Sequence, residues 1–186
     1  MITSLRIQLP RWVSAEILRA HIYDTDEKKI GLAVRLSAKN VGEKSGGPFG
    51  AAVFARAGEL VSAGVNCVVG QHCFAAHAEM MALMLAQRRL RVSRLCDAPG
   101  APYVLASSAQ PCAMCVGALA WSGISTLLFG ARRRDVQALA GFDEGPIVAD
   151  WESELAKRGI HARGGILRQR AAAVLREYAA SGGILY

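Results

Sequence analysis

No stretch of this sequence is apolar for long enough to cross a bilayer as a helix, although 52% of its residues are hydrophobic. The N-terminus lacks the charged-then-apolar pattern of a secretory signal. An even set of cysteines is also missing. There are five, which argues against a disulfide framework and for a reduced, cytoplasmic setting. Internal repeats, low-complexity tracts and domain-length linkers are absent. What remains at 186 residues is one domain, 1–186, able to bury a sizeable core. The net charge of +7 suits either nucleic acid or plain solubility, and by itself excludes neither.

Against that background two short motifs stand out, His77-Ala78-Glu79 and Pro111-Cys112-Ala113-Met114-Cys115. His77, Cys112 and Cys115 are of the nitrogen and thiolate types that bind zinc. A structural zinc usually closes with four protein ligands, and a catalytic one keeps a position open for water. Three ligands and a spare carboxylate, Glu79, therefore read as a catalytic set, with Zn2+ as the implied cofactor. Zinc lowers the pKa of water it holds from about 15.7 toward about 7, and Glu79 is placed to carry protons. Alone, each half has blander readings, such as a chance H-x-E, a redox pair or two buried thiols. Together they match the signature of zinc-dependent base deaminases.

In chain order, residues 1–42 read as helical, with Trp12, Ile17 and Leu18 in a short first helix. Asp24 to Glu27 has capping-box spacing, and Ile30, Ala33, Val34, Ser37 and Val41 recur at helical intervals. Strands are expected over 51–55 and 60–65, joined at Gly58, then over 103–106 and 125–129, with an irregular one within 160–166. Asn66 closes the second, where an amide either caps a turn or meets a flat heterocycle. A helix from about His77 to Arg91 carries Met80, Met81, Met84 and Leu85, an apolar stripe read as packing. Pro111 suits a first helical position, leaving Cys112 and Cys115 on one face of the first turn. Trp121 reads as core or dimer contact, His72 and Cys73 as spare ligands, and Arg132-Arg133-Arg134 as a basic cluster. Short helices are expected over 151–158 and, amphipathically, from 167 toward the 167–186 terminus.

Strands alternating with helices indicate an α/β fold. With the motifs in this order, the chain resembles the cytidine-deaminase superfamily, and within it the bacterial guanine deaminases. The residues carrying the likeness are Gly46-Gly47-Pro48-Phe49-Gly50-Ala51, Asn66, Ala76-His77-Ala78-Glu79, Ser108-Ala109-Gln110-Pro111-Cys112-Ala113-Met114-Cys115 and Gly141-Phe142-Asp143-Glu144-Gly145-Pro146. The resemblance implies a three-layer α/β/α arrangement, with a mixed sheet of about five strands and helices on both faces. It also implies His77, Cys112 and Cys115 as zinc ligands, Glu79 and Glu144 as catalytic groups, and Asn66, Ala78, Phe49, Phe142 and Asp143 as substrate contacts.

Guanine fits this set. It offers N–H donors on its Watson–Crick edge, which a carboxylate accepts, whereas adenine presents an acceptor nitrogen there. A mismatch against Glu144 would cost about 1–3 kcal/mol. The expected reaction is hydrolytic deamination of guanine to xanthine with release of ammonia, in purine catabolism, and s-triazines such as ammeline are the alternative ring. A homodimer is implied as well, along with a closing C-terminal segment for which only the short stretch to Tyr186 is present. A tRNA adenosine deaminase is a rival on charge, but no basic tail interleaved with aromatics is present to grip a stem-loop. A non-catalytic zinc scaffold would have no use for Glu79.

Overall fold

The structure is a computed structural model that describes residues 3–17 and 22–186. In chain order its helices and strands are α1 Arg11–Ile17, α2 Asp26–Gly42, β1 Gly50–Phe54, β2 Leu60–Val65, α3 Val68–Gln71, α4 Ala78–Leu90, β3 Val104–Ala109, α5 Ala113–Ser122, β4 Thr126–Ala131, α6 Arg133–Ala140, α7 Trp151–Ala156, β5 His161–Gly164 and α8 Arg168–Ala180. The sheet runs β2-β1-β3-β4-β5. Its first hairpin is antiparallel and pairs antiparallel with β3, while β3, β4 and β5 are mutually parallel. No helix among the described residues is long and apolar enough to cross a membrane.

Successive side chains of a strand point to opposite faces, so a strand buried on both sides must be apolar throughout. Here Ala52, Phe54, Ala106 and Leu128 pack beneath α2, α6 and α8. Ala51, Val53, Leu105 and Leu127 pack beneath α4, α5 and α7. The result is the three-layer arrangement with five strands. Close approach of α4 to the sheet depends on Gly64 of β2, since a Cβ there would collide with the Ala78 carbonyl oxygen. That missing side chain lets the start of α4 settle onto the sheet, and His77 and Glu79 come with it.

Several local expectations shift. Residues 3–10 form no helix, and Ile22 makes a β-bridge to Glu59; Leu18 lies outside the described residues. Helix α2 is capped by Thr25, whose hydroxyl accepts the Lys28 N–H at 3.2 Å, while Asp24 pairs with the Lys28 ammonium at 2.7 Å. A hydroxyl one residue later thus takes the cap, and the carboxylate takes the ion pair. Pro111 precedes the cap residue Cys112, so it sits outside the helix. Only Met81 of the methionine stripe is core. Met84 faces outward because the buried side of α4 runs through Ala78, Glu79, Ala82, Leu83 and Ala86. Trp121 is 80% exposed, which removes the core reading. Helix α6 was not expected: its start was read only as the basic cluster Arg132-Arg133-Arg134, while Val136 and Ala140 turn out to be buried.

Candidate active site

Two helix starts meet at the site. His77 is the cap residue of α4 and Glu79 lies in its first turn, while Cys112 caps α5 and Cys115 lies in its first turn. The positive ends of both helices favour negative charge there, which suits thiolates. The Cys112 Sγ and Cys115 Sγ stand 3.4 and 3.7 Å from His77 Nδ1, and the three ligand atoms lie within 4.8 Å of one another. Zn–S bonds of about 2.3 Å and Zn–N bonds of about 2.0–2.1 Å at tetrahedral angles separate sulfur from nitrogen by about 3.5 Å. The donor set therefore fits zinc. His72 and Cys73 stand outside this group.

Protonation follows from mutual contact. A hydrogen bond from Cys115, with help from His77, lowers the Cys112 pKa to about 4 against the pull of burial. The Cys115 thiol is pushed up by that same bond and by burial. For His77, burial lowers the pKa, but Cys112 and Glu79 outweigh it and the net shift is upward. Glu79 is buried. Its Oε1 accepts from the Ser107 hydroxyl at 3.2 Å, and its Oε2 accepts from the Cys115 thiol at 3.6 Å. Burial, and then the charge of Cys112, raises the pKa of Glu79. It stands beside the ligand group without belonging to it.

A small cavity opens from this cluster, walled by Phe49, Asn66, Ala78, Phe142, Glu144 and Tyr186, with Gln110 and Asp143 at its edge. Every residue expected at the site thus reaches one place. Asn66 does the first of the two things its position allowed and leaves a group free for the second. Its Oδ1 accepts the N–H groups of Val68 at 3.3 Å and Gly47 at 3.4 Å, as a turn cap would. Its Nδ2 is buried with no protein partner, so a donor is left facing the cavity wall. Asn40 fixes this corner from below, donating to the carbonyls of Gly47 at 2.8 Å and Asn66 at 2.9 Å.

Glu144 is only 5% exposed, unlike an ordinary acidic loop residue. Burial, and then the charges of Cys112 and Glu79, push its pKa up to about 8. Asp143 differs: its side chain is exposed and its Oδ1 accepts the Gly145 N–H at 2.9 Å, shaping the loop. Phe142 meets Phe49 edge-on, with ring centroids 5.1 Å apart, and Tyr186 at 5.0 Å.

Tyr186, Gln110 and Ser107 were not among the expected site residues. Tyr186 keeps 40% of its surface exposed, yet its hydroxyl end is inserted against Gly47, where a Cβ would collide with it. Burial of that end pushes the phenol pKa up. The terminal stretch is pinned by the Tyr178 hydroxyl, which donates to the Ile184 carbonyl at 2.8 Å. With the Tyr186 ring in place the cavity holds about 40 Å³.

The sequence model of the cytidine and deoxycytidylate deaminase zinc-binding region matches residues 23–131. The guanine deaminase of Bacillus subtilis is 34% identical over 128 residues, which span 69% of this chain and 78% of that protein. The solved guanine deaminase of Nitrosomonas europaea is 42% identical with a TM-score of 0.91, over 97% of this chain and 98% of that one. A solved variant protein in complex with 8-azaguanine gives the same identity and TM-score, over 97% of this chain and 99% of that one. Ligand set, fold and sequence agree: the chain belongs to the zinc-binding cytidine and deoxycytidylate deaminase family.

Proposed function

We propose that the protein is a cytoplasmic guanine deaminase, acting as a single-domain subunit that converts guanine and water to xanthine and ammonia in purine breakdown. The observation that carries this reading is the pairing, in one cavity, of a buried carboxylate at Glu144 with the unpaired amide donor of Asn66. Guanine presents both complements, N–H donors for the carboxylate and ring acceptors for the amide. Adenine presents an acceptor nitrogen at N1, where guanine carries an N–H. Polar mismatches of this kind discriminate more sharply than apolar shape. The relatives described as guanine deaminases, and the 8-azaguanine bound by one similar protein, support the same choice.

When bound, zinc supplies a water able to attack at neutral pH. Residues of the chain do the rest. With zinc held by His77, Cys112 and Cys115, Glu79 would carry protons to a ring nitrogen and to the departing amine. Asn66 and Glu144 orient the ring, Phe49 and Phe142 pack its faces, and Ala78 and Asp143 complete the wall. A panel of guanine, ammeline, guanosine, adenine, cytosine and cytidine, scored by ammonia release, tests the assignment. Guanine is expected to lead; preferential turnover of ammeline, adenine or cytosine would overturn it.

The working unit is a homodimer. Helix α5 is apolar all round yet buries only Cys115, Leu119 and Ser122, and a helix of that kind belongs inside a larger core. Its Trp121, 80% exposed, offers an aromatic surface for a second copy. Trp121→Glu is expected to yield monomers in sedimentation; a monomeric wild type refutes the dimer.

A further inference from the structure

Glu144 stands on a loop without a strand or helix of its own, so its placement must come from neighbours. Its backbone carbonyl accepts the Ala113 N–H at 2.9 Å, which ties it to the first residue of α5. The next carbonyl, Gly145, accepts from Arg133 Nη2 at 3.0 Å. Arg133 opens α6, and its backbone N–H donates to Gln110 Oε1 at 3.1 Å. Gln110 in turn donates its N–H to the Ala131 carbonyl at 2.8 Å and sits two residues before Cys112. One arginine thus joins the stretch leading into the metal ligands to the loop that presents Glu144. Its guanidinium is close enough to act on Glu144 and favours the ionised carboxylate against the burial that opposes it.

The Arg133 Nε is buried with no protein partner. Leaving such a donor unpaired costs about 1–3 kcal/mol, which an apolar side chain of similar reach would avoid. A brace needed only for folding could therefore be built better without a guanidinium. We propose that Arg133 is a positioning residue, holding the Glu144 carboxylate toward the substrate through the Gly145 carbonyl. The inference rests on Glu144 being a substrate contact.

The experiment is a double-mutant cycle on the zinc-loaded protein, with guanine kinetics, zinc content and thermal midpoint read together. Arg133→Gln is expected to lower kcat/KM by about 10- to 100-fold, the size of one charge-assisted hydrogen bond, with zinc retained. Arg133→Lys, which keeps the charge and a donor, should recover part of the loss. Arg134→Gln, an exposed neighbour with the same change of charge, should leave turnover unaltered. The combined Arg133→Gln and Glu144→Gln variant should be no slower than Glu144→Gln alone. If the two losses multiply, or Arg133→Gln matches wild type, the positioning role is overturned while the substrate contact stands. If Glu144→Gln alone matches wild type, the contact fails and this role fails with it. Should Arg133→Gln not fold, the cycle run with Arg133→Lys decides by the same criterion.

Discussion

His77, Cys112 and Cys115 stand at the starts of two helices braced on a sheet, whereas Glu144, Phe142 and Tyr186 stand on a loop and a chain end. The first group is fixed by backbone: each ligand stands at a helix start, Gly64 lets α4 settle onto the sheet, and the two sulfurs lie 3.4 and 3.7 Å from His77 Nδ1. The second is fixed largely through side chains, by Arg133 at the Gly145 carbonyl and Tyr178 at the Ile184 carbonyl, with Asn40 holding the Gly47–Asn66 corner beside it. One scaffold can therefore keep its chemistry while its choice of ring is altered, because the two depend on different parts of the fold. Substitutions on the two sides should then fail in different ways.

The largest effects belong to the metal side. Cys112→Ala is expected to abolish zinc binding and activity together, by metal analysis beside turnover. Glu79→Ala should keep its zinc and lose at least the 10²–10⁴-fold typical of a positioned acid–base group. Loss of metal in Glu79→Ala would mean that the carboxylate is a ligand, and that acid–base and metal-holding roles are not separate in this site.

On the recognition side Asn66→Ala should cost guanine turnover about 10- to 100-fold, the price of one unmade polar contact, with zinc content unchanged. A smaller effect is expected where the wall is apolar. Gly47→Ala places a methyl group against the Tyr186 hydroxyl and should displace the ring. An aromatic contact is worth about 0.5–1.5 kcal/mol, so kcat/KM should fall about 3- to 10-fold. Combining Gly47→Ala with Tyr186→Ala should add nothing further. An additive loss would show that Gly47 matters for the loop itself.

The same division governs what could be read from the sequence. His77, Glu79, Cys112 and Cys115 were legible because a helix start brings residues close in the chain to one point, so spacing reports geometry directly. The first four strands were legible because both sheet faces are buried there and their sequences are mostly apolar, whereas β5, His161–Gly164 at the sheet edge, is partly exposed and reads as irregular. Glu144 was harder: its burial depends on α6, which the arginine run concealed, and on Ala113, 31 positions away in the chain. Neither Tyr186 nor Gln110 carries a local signal, since each enters the site only through tertiary packing. For Tyr186 the available clues were the closing C-terminal segment that the resemblance implies and Gly47, a small residue in a loop that already carried the likeness. Asn66 needed the structure for another reason, as its oxygen and nitrogen play different parts and only the coordinates separate them.

The smallest effect tests whether the recognition side is propped from behind. Asp135 in α6 accepts the Arg132 N–H at 2.8 Å and grips Arg168 of α8 through both oxygens, at 2.6 and 2.7 Å. The Arg168 hydrogen bonds hold its carboxyl below the ordinary value of 3.8, against a partial burial that raises it. A depressed folded pKa means that the stabilisation is fully present above the unfolded value and is lost as pH falls through the folded one. Asp135→Asn should therefore lower stability by about 1 kcal/mol at neutral pH, the range of a helix cap with a partly exposed ion pair. The gap to wild type should close as pH drops below 3.8. Because α6 carries Arg133, a fall in guanine kcat/KM beyond the unfolded fraction would show that the α6–α8 contact also sets Glu144. Unchanged kinetics in the folded fraction would confine the recognition side to the Arg133 link and the loop it holds.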